Sequence, residues 1–257
     1  MNLEKKPEKA LVLHKISKTF RVREKESTTF RGRLGNVLKQ SKVREIKALS
    51  NIGLEVEKGE IFGIVGRNGS GKSTLLNIMM ESIRPDKGGE IMSEGLMLKL
   101  SLGMGVDLNL SARDNIYING SIIGLSFRTI GQIFQEIIDF AGLQDFVDTP
   151  VRFYSKGMRQ RLMFSIAMYA QADIFLLDEF FGGTGDQDFK KKSDKAFKER
   201  ILEGKTIVIV SHSMHIIRKY CKRVLWLDKG QNAMMGPAAN VLEAYEATFE
   251  TQPAPAL

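Results

Sequence analysis

Residues 66–74 read Gly-Arg-Asn-Gly-Ser-Gly-Lys-Ser-Thr. Gly66, Gly71, Lys72 and Ser73 fit the spacing G-x-x-x-x-G-K-[ST]. A polyphosphate needs many hydrogen-bond donors at close range. Glycines let backbone N–H groups approach without a Cβ in the way, and a helix start adds positive potential. Gly66, Arg67, Asn68, Gly69, Ser70, Gly71, Lys72, Ser73 and Thr74 are therefore the expected phosphate-binding stretch. Lys72 is expected to reach the β- and γ-phosphates, and the Ser73 hydroxyl to hold Mg²⁺.

Three more stretches carry chemistry. The apolar run Ile174 to Leu177 ends in Asp178 and Glu179. Asp178 would hold Mg²⁺ through water, and Glu179 would take a proton from an attacking water. The run Ile207 to Val210 ends in Ser211 and His212, which places a histidine where a terminal phosphate would lie. Finally, Tyr-Ser-Lys-Gly-Met-Arg-Gln-Arg, residues 154–161, precedes Leu-Met-Phe-Ser-Ile-Ala-Met-Tyr-Ala, apolar enough for a buried helix. Polar residues and a glycine at the mouth of such a helix aim its N-terminus at something. A plain helix cap is the alternative.

These residues need elements to position them. Glu-Ile-Phe-Gly-Ile-Val, 60–65, reads as a short buried strand entering the glycine loop, and 72–83 as the helix leaving it. Continuous apolar runs before Asp178 and Ser211 fit central parallel strands covered on both faces. In such sheets ligand residues gather at the carboxyl ends of strands. Residues 84–91 read as a turn returning to the sheet, 105–170 as mainly helical, and 241–250 as a terminal helix. The methionine-rich stretches read as core packing rather than a cofactor box.

Composition bounds the possibilities. The 257 residues suit one domain with a subdomain, and 43% hydrophobic with 26% charged residues is ordinary for a globular chain. One cysteine, Cys221, excludes an intramolecular disulfide and is expected to be an idle thiol. The charged N-terminus lacks the apolar core of a signal peptide, and no run of about 18 apolar residues suggests a membrane span. A net charge of +8 permits acidic partners: nucleic acid, phosphate ligands or an anionic membrane face.

These pieces, in this order, resemble the ATP-binding cassette (ABC) family of transporter ATPases over about residues 10 to 245. The resemblance implies an α/β P-loop NTPase fold: a mostly parallel core sheet, an antiparallel β part and a helical subdomain. Residues 1–250 would form the nucleotide-binding domain, with the helical subdomain near 105–170, a basic insert near 21–47 and a tail at 251–257. It implies ATP and Mg²⁺ as cofactors, His212 as the switch histidine, and Phe20 as the aromatic stacked on adenine. Ser155 and Gly157 would be the family signature, facing ATP held by a second copy. Asp186, in Gly-Thr-Gly-Asp, would lie in the loop crossing the dimer. A homodimer coupled to a separate integral-membrane subunit, itself in two copies, follows from the same resemblance, with no nucleic-acid partner.

Residues 110–126 and 140–158, with the Tyr-Ser-x-Gly-Met signature, look like the ATPase subunits of bacterial polysaccharide exporters. These move lipid-linked O-antigen, capsule or teichoic acid. The chain would then sit peripherally on the cytoplasmic face of the cytoplasmic membrane. The alternatives are the ATPase of another ABC transporter, or a soluble ABC ATPase not coupled to transport. Two positions depart from the family. No glutamine occurs between 75 and 131, which leaves Ser101 as the candidate at the place where a glutamine usually meets Mg²⁺; Lys156 replaces a signature glycine. The insert carries nine Lys/Arg against three Glu from Arg21 to Lys47. Phe30, Leu34, Val37 and Leu38 would line one face of a short helix there; a solvated loop is the alternative.

Overall fold

The computed structural model describes residues 8–23, 43–101, 105–180 and 187–250. The core is a six-stranded sheet in the order β5-β6-β7-β3-β8-β9. Its strands are β3 (Ile61–Val65), β5 (Met97–Ser101), β6 (Ile174–Asp178), β7 (Thr206–Val210), β8 (Arg223–Asp228) and β9 (Gln231–Pro237). The pairs β5–β6, β6–β7, β7–β3 and β3–β8 are parallel; β9 returns antiparallel on β8. A second, antiparallel sheet has the order β2-β1-β4, from β1 (Lys9–Arg23), β2 (Val43–Glu57) and β4 (Glu90–Ser93).

The central strands are apolar throughout because both faces are covered. Phe175 and Leu177 of β6, with Ile207 and Ile209 of β7, pack into one hydrophobic cluster. That layer is completed by α5 (Gln187–Phe197), α6 (Met214–Tyr220) and α7 (Ala238–Glu250). The alternate residues Ile174, Leu176, Val208 and Val210 face a second cluster, shared with α1 (Lys72–Met79) and the antiparallel sheet. The period-two pleat thus divides one strand between two cores.

A third cluster unites α2 (Ala112–Ile122), α3 (Phe127–Ala141) and α4 (Lys156–Ala167). Their ends are written in the sequence. Ser111 and Asp114 form a capping box at α2, Ser126 caps α3, and Gly142 closes α3 at a left-handed φ of 64°. Ile130, Ile137, Ile138 and Ala141 line the buried face of α3.

Two expectations change. The helix after the glycine loop stops at Met79 rather than running to residue 83, and Glu81 then takes a left-handed φ of 54°. The ends of the basic insert are strand: Arg21, Val22 and Arg23 pair with Glu45, Arg44 and Val43 as the outer part of the β1–β2 hairpin. Arg21 and Glu45 also form an ion pair of 2.9 Å. The predicted helix through Phe30, Leu34, Val37 and Leu38 lies outside the described residues.

Cys221 behaves as an idle thiol should. It is buried at 6% exposure, and burial pushes its pKa up to about 12. A thiolate is the reactive form, so a maleimide at pH 8 should leave Cys221 unmodified in the native chain and label it fully in denaturant. Mass spectrometry checks this; rapid native labelling would mean that the α6–β8 corner opens.

Candidate active site

The glycine loop connects β3 to α1 and is clamped from two sides. A Cβ on Gly66 would stand 2.2 Å from the Leu227 carbonyl oxygen on β8. Gly71 holds a left-handed φ of 106°, and a Cβ there would stand 2.7 Å from the Ala48 carbonyl oxygen on β2. Only glycine fits either place. Gly71 is also the N-cap of α1, and no described side chain caps that helix. The N–H groups of its first turn are left to serve an anion. The buried Ser70 hydroxyl also lacks a hydrogen-bond partner among the described residues.

Lys72 is 8% exposed. Its ammonium donates to the carbonyl oxygens of Gly66 at 2.6 Å and Arg67 at 3.0 Å. Burial pulls its pKa below the ordinary lysine value, while the nearby charges of Glu179 and Asp178 push the other way. A lysine so placed is fixed over the loop and gains from any added negative charge.

The parallel sheet brings the other groups to the same end. Asp178 closes β6, and its Oδ2 lies 3.0 Å from Lys99 Nζ. Glu179 follows at a left-handed φ of 52°, uncommon for a residue with a Cβ. The turn is tied to β7: the Glu179 N–H donates to the Val210 carbonyl at 3.0 Å. Glu179 Oε1 accepts from the His212 N–H at 2.9 Å and lies 3.7 Å from His212 Nε2. Both side chains remain about half exposed, at 47% and 51%, so a solvent molecule can reach them.

Lys72, Ser73, Thr74, Asp178, Glu179 and His212 line one cavity of about 340 Å³. Carboxylate, ammonium, imidazole and hydroxyl thus converge where β3, β6 and β7 end. The Ser73 hydroxyl and Asp178 carboxylate are hard oxygen donors, suited to a Mg²⁺ shared with phosphate oxygens.

The remaining predicted residues lie elsewhere. Phe20 pairs across the hairpin with Ile46, which lines the cavity; Phe20 itself does not, and the Lys18 ammonium sits 5.7 Å from its ring centroid. Ser155 is the N-cap of α4, its Oγ accepting from the Met158 N–H at 3.1 Å. So the cap geometry is real, yet Ser155 and Gly157 do not line the cavity of their own chain. Asp186 lies outside the described residues. Ser101 pairs with Asp178 across β5 and β6, but lines a neighbouring groove of about 180 Å³. Two contributors escape sequence reasoning. One is the β2 segment Ile46–Ala48, hidden within the basic stretch. The other is Lys99, signalled only by a charge inside the apolar run 97–100.

Comparison with known proteins follows the same lines. The ABC transporter family model matches residues 49–182, from within β2 through Asp178 and Glu179. The O-antigen export system ATP-binding protein RfbB of Klebsiella pneumoniae is 36% identical over 205 residues, covering 80% of this chain and 83% of that protein. RfbB of Myxococcus xanthus is 37% identical over 92% of this chain and 55% of its own length. The teichoic acids export ATP-binding protein TagH of Enterococcus faecalis is 41% identical over 81% of this chain and 46% of its own length. The chain thus spans about half the length of the last two relatives. Among solved structures, a dimeric ATP-binding cassette bound to ADP and Pi in a post-hydrolysis state matches with a TM-score of 0.66 at 22% identity, over 89% of this chain and 98% of that one. That likeness establishes the fold as the α/β architecture of such cassettes. With the family model spanning the clamped loop and both carboxylates, and a relative aligned along most of its length, the chain belongs to the ABC transporter family.

Proposed function

We propose that this chain is the ATP-hydrolysing subunit of a bacterial exporter that moves lipid-linked polysaccharide across the cytoplasmic membrane. The convergence of Lys72, Ser73, Asp178, Glu179 and His212 on one cavity carries the hydrolytic part. The polysaccharide part is supported by relatives named for O-antigen and teichoic acid export.

In this reading residues 1–250 form the nucleotide-binding domain, and the loop N–H groups with Lys72 hold the β- and γ-phosphates. Ser73 and Asp178 hold Mg²⁺, which when bound neutralises charge on the transferring phosphoryl group. Glu179 accepts a proton from the attacking water, and His212, tied to Glu179 through its backbone N–H, fixes that carboxylate. Ser101, level with Asp178, is the candidate for the role of the usual glutamine. Phe20 and the hairpin border the adenine side. Ser155 and Gly157 are exposed or half-exposed at the start of α4 and serve ATP on a second copy. No helix among the described residues is long and apolar enough to cross a membrane. In this reading transport uses a separate membrane subunit, with this chain on its cytoplasmic side.

The test is co-purification from detergent with that hydrophobic partner, followed by phosphate release. The complex should hydrolyse ATP, and adding the lipid-linked glycan should raise the rate. A complex that forms but ignores every lipid-linked glycan would remove the polysaccharide reading and leave an ATPase of another transporter.

A further inference from the structure

Lys99 is the charged residue of β5, in Met-Leu-Lys-Leu-Ser. The Lys99 side chain is only 15% exposed. An ammonium in such surroundings loses hydration and needs a partner. Its partner is Asp178: Nζ and Oδ2 are 3.0 Å apart, with the side chains 15% and 21% exposed. Parallel pairing fixes this contact, because Ser101 stands level with Asp178 and Lys99 lies one pleat earlier on the same face. Lys72 approaches from the loop side and also feels the Asp178 charge. The Asp178 carboxylate therefore contacts one ammonium group and feels the charge of a second.

The residue best placed to hold Mg²⁺ is thus already engaged by a cation of the chain itself. We propose that Lys99 is a positioning residue, an internal cation that orients the Asp178 carboxylate and competes for it with Mg²⁺. This rests on the reading of Asp178 as the Mg²⁺ aspartate. Mg²⁺ alone offers Asp178 little that Lys99 does not, since it binds through retained waters. Mg²⁺ arriving with nucleotide phosphates brings the further oxygen ligands that tip the exchange. Lys99 thereby makes metal binding conditional on nucleotide.

The test follows binding of a fluorescent ATP analogue to the purified full-length chain as Mg²⁺ is titrated. Lys99→Met, which keeps length and loses charge, should lower the half-saturating Mg²⁺ concentration about tenfold. A tenfold shift corresponds to ~1.4 kcal/mol, near the low end for a hydrogen bond to a charged group. Lys99→Arg, which retains the pair, should titrate like the wild type. Lys99→Gln gives the same readout as methionine if the apolar replacement does not fold. A half-saturating concentration unchanged or raised in the folded neutral variant would overturn the inference, even if thermal stability fell, because packing alone does not set Mg²⁺ dependence. Wild-type chain that bound no nucleotide at any Mg²⁺ concentration would overturn the proposed function and this inference together.

Discussion

Glu179→Gln is expected to slow ATP hydrolysis by at least ~10²-fold while nucleotide still binds, because a positioned general base contributes about 10²–10⁴-fold. Glutamine is the informative replacement for structural reasons. Glu179 sits at a φ of 52°, where any Cβ-bearing residue is uncommon, and glutamine has the same backbone branching as glutamate. Its amide oxygen can still accept from the His212 N–H, so the tie between the β6 and β7 ends survives. What it loses is the capacity to take a proton. Phosphate release measured beside nucleotide affinity separates the two effects. Turnover near the wild-type rate would remove Glu179 from the role of base. Weakened binding would mean that the carboxylate charge, felt at Lys72, also holds the loop.

The second large effect concerns two copies. Lys72→Ala removes the loop ammonium and its two carbonyl contacts; Gly157→Asp puts a carboxylate at the start of α4. Each variant alone is expected to lose at least ~10²-fold in hydrolysis, comparable to deleting one preorganised electrostatic group. Mixed together, they should regain activity. A dimer of one chain of each kind pairs an intact loop with an intact signature at one of its two sites. Within one chain Ser155 and Gly157 do not line the cavity that Lys72 lines, and the mixed dimer tests whether they complete it from a second copy. Differently tagged chains allow the mixed dimer to be isolated. If it forms and remains inactive, loop and signature do not work across copies.

Legibility in the sequence followed the local physics. The glycine loop could be read directly, since a close approach to Leu227 and Ala48 permits no Cβ at Gly66 or Gly71. Asp178, Glu179 and His212 were readable because each ends an apolar run that must be a buried strand. Ser155 was readable as a cap through its serine and the following glycine. Lys99 was not, because its meaning depends on β5 lying beside β6, a pairing between residues some 75 apart in the chain. The hairpin ends at 21–23 and 43–47 were obscured for another reason. Their alternation is a strand pattern, but the charge around them suggested an insert. Phe20 is a different case: its strand borders the site through Ile46, and its ring lies 5.7 Å from the Lys18 ammonium.

The strand order has a consequence for how the protein is made. β3, which leads into the glycine loop, ends at Val65, yet its two sheet neighbours begin at Thr206 and Arg223. The Leu227 carbonyl that confines Gly66 comes from the later of them. A ribosome adding about 5–20 residues per second takes on the order of ten seconds to cover that interval. Throughout it, the apolar β3 segment has neither edge partner available, whereas α2, α3 and α4 possess all the buried residues of their own cluster once synthesis passes Ile166. Non-local pairing of this kind is slow to close. The helical layer can thus form once α4 is made, whereas a closed ATP site must wait until Leu227 has emerged.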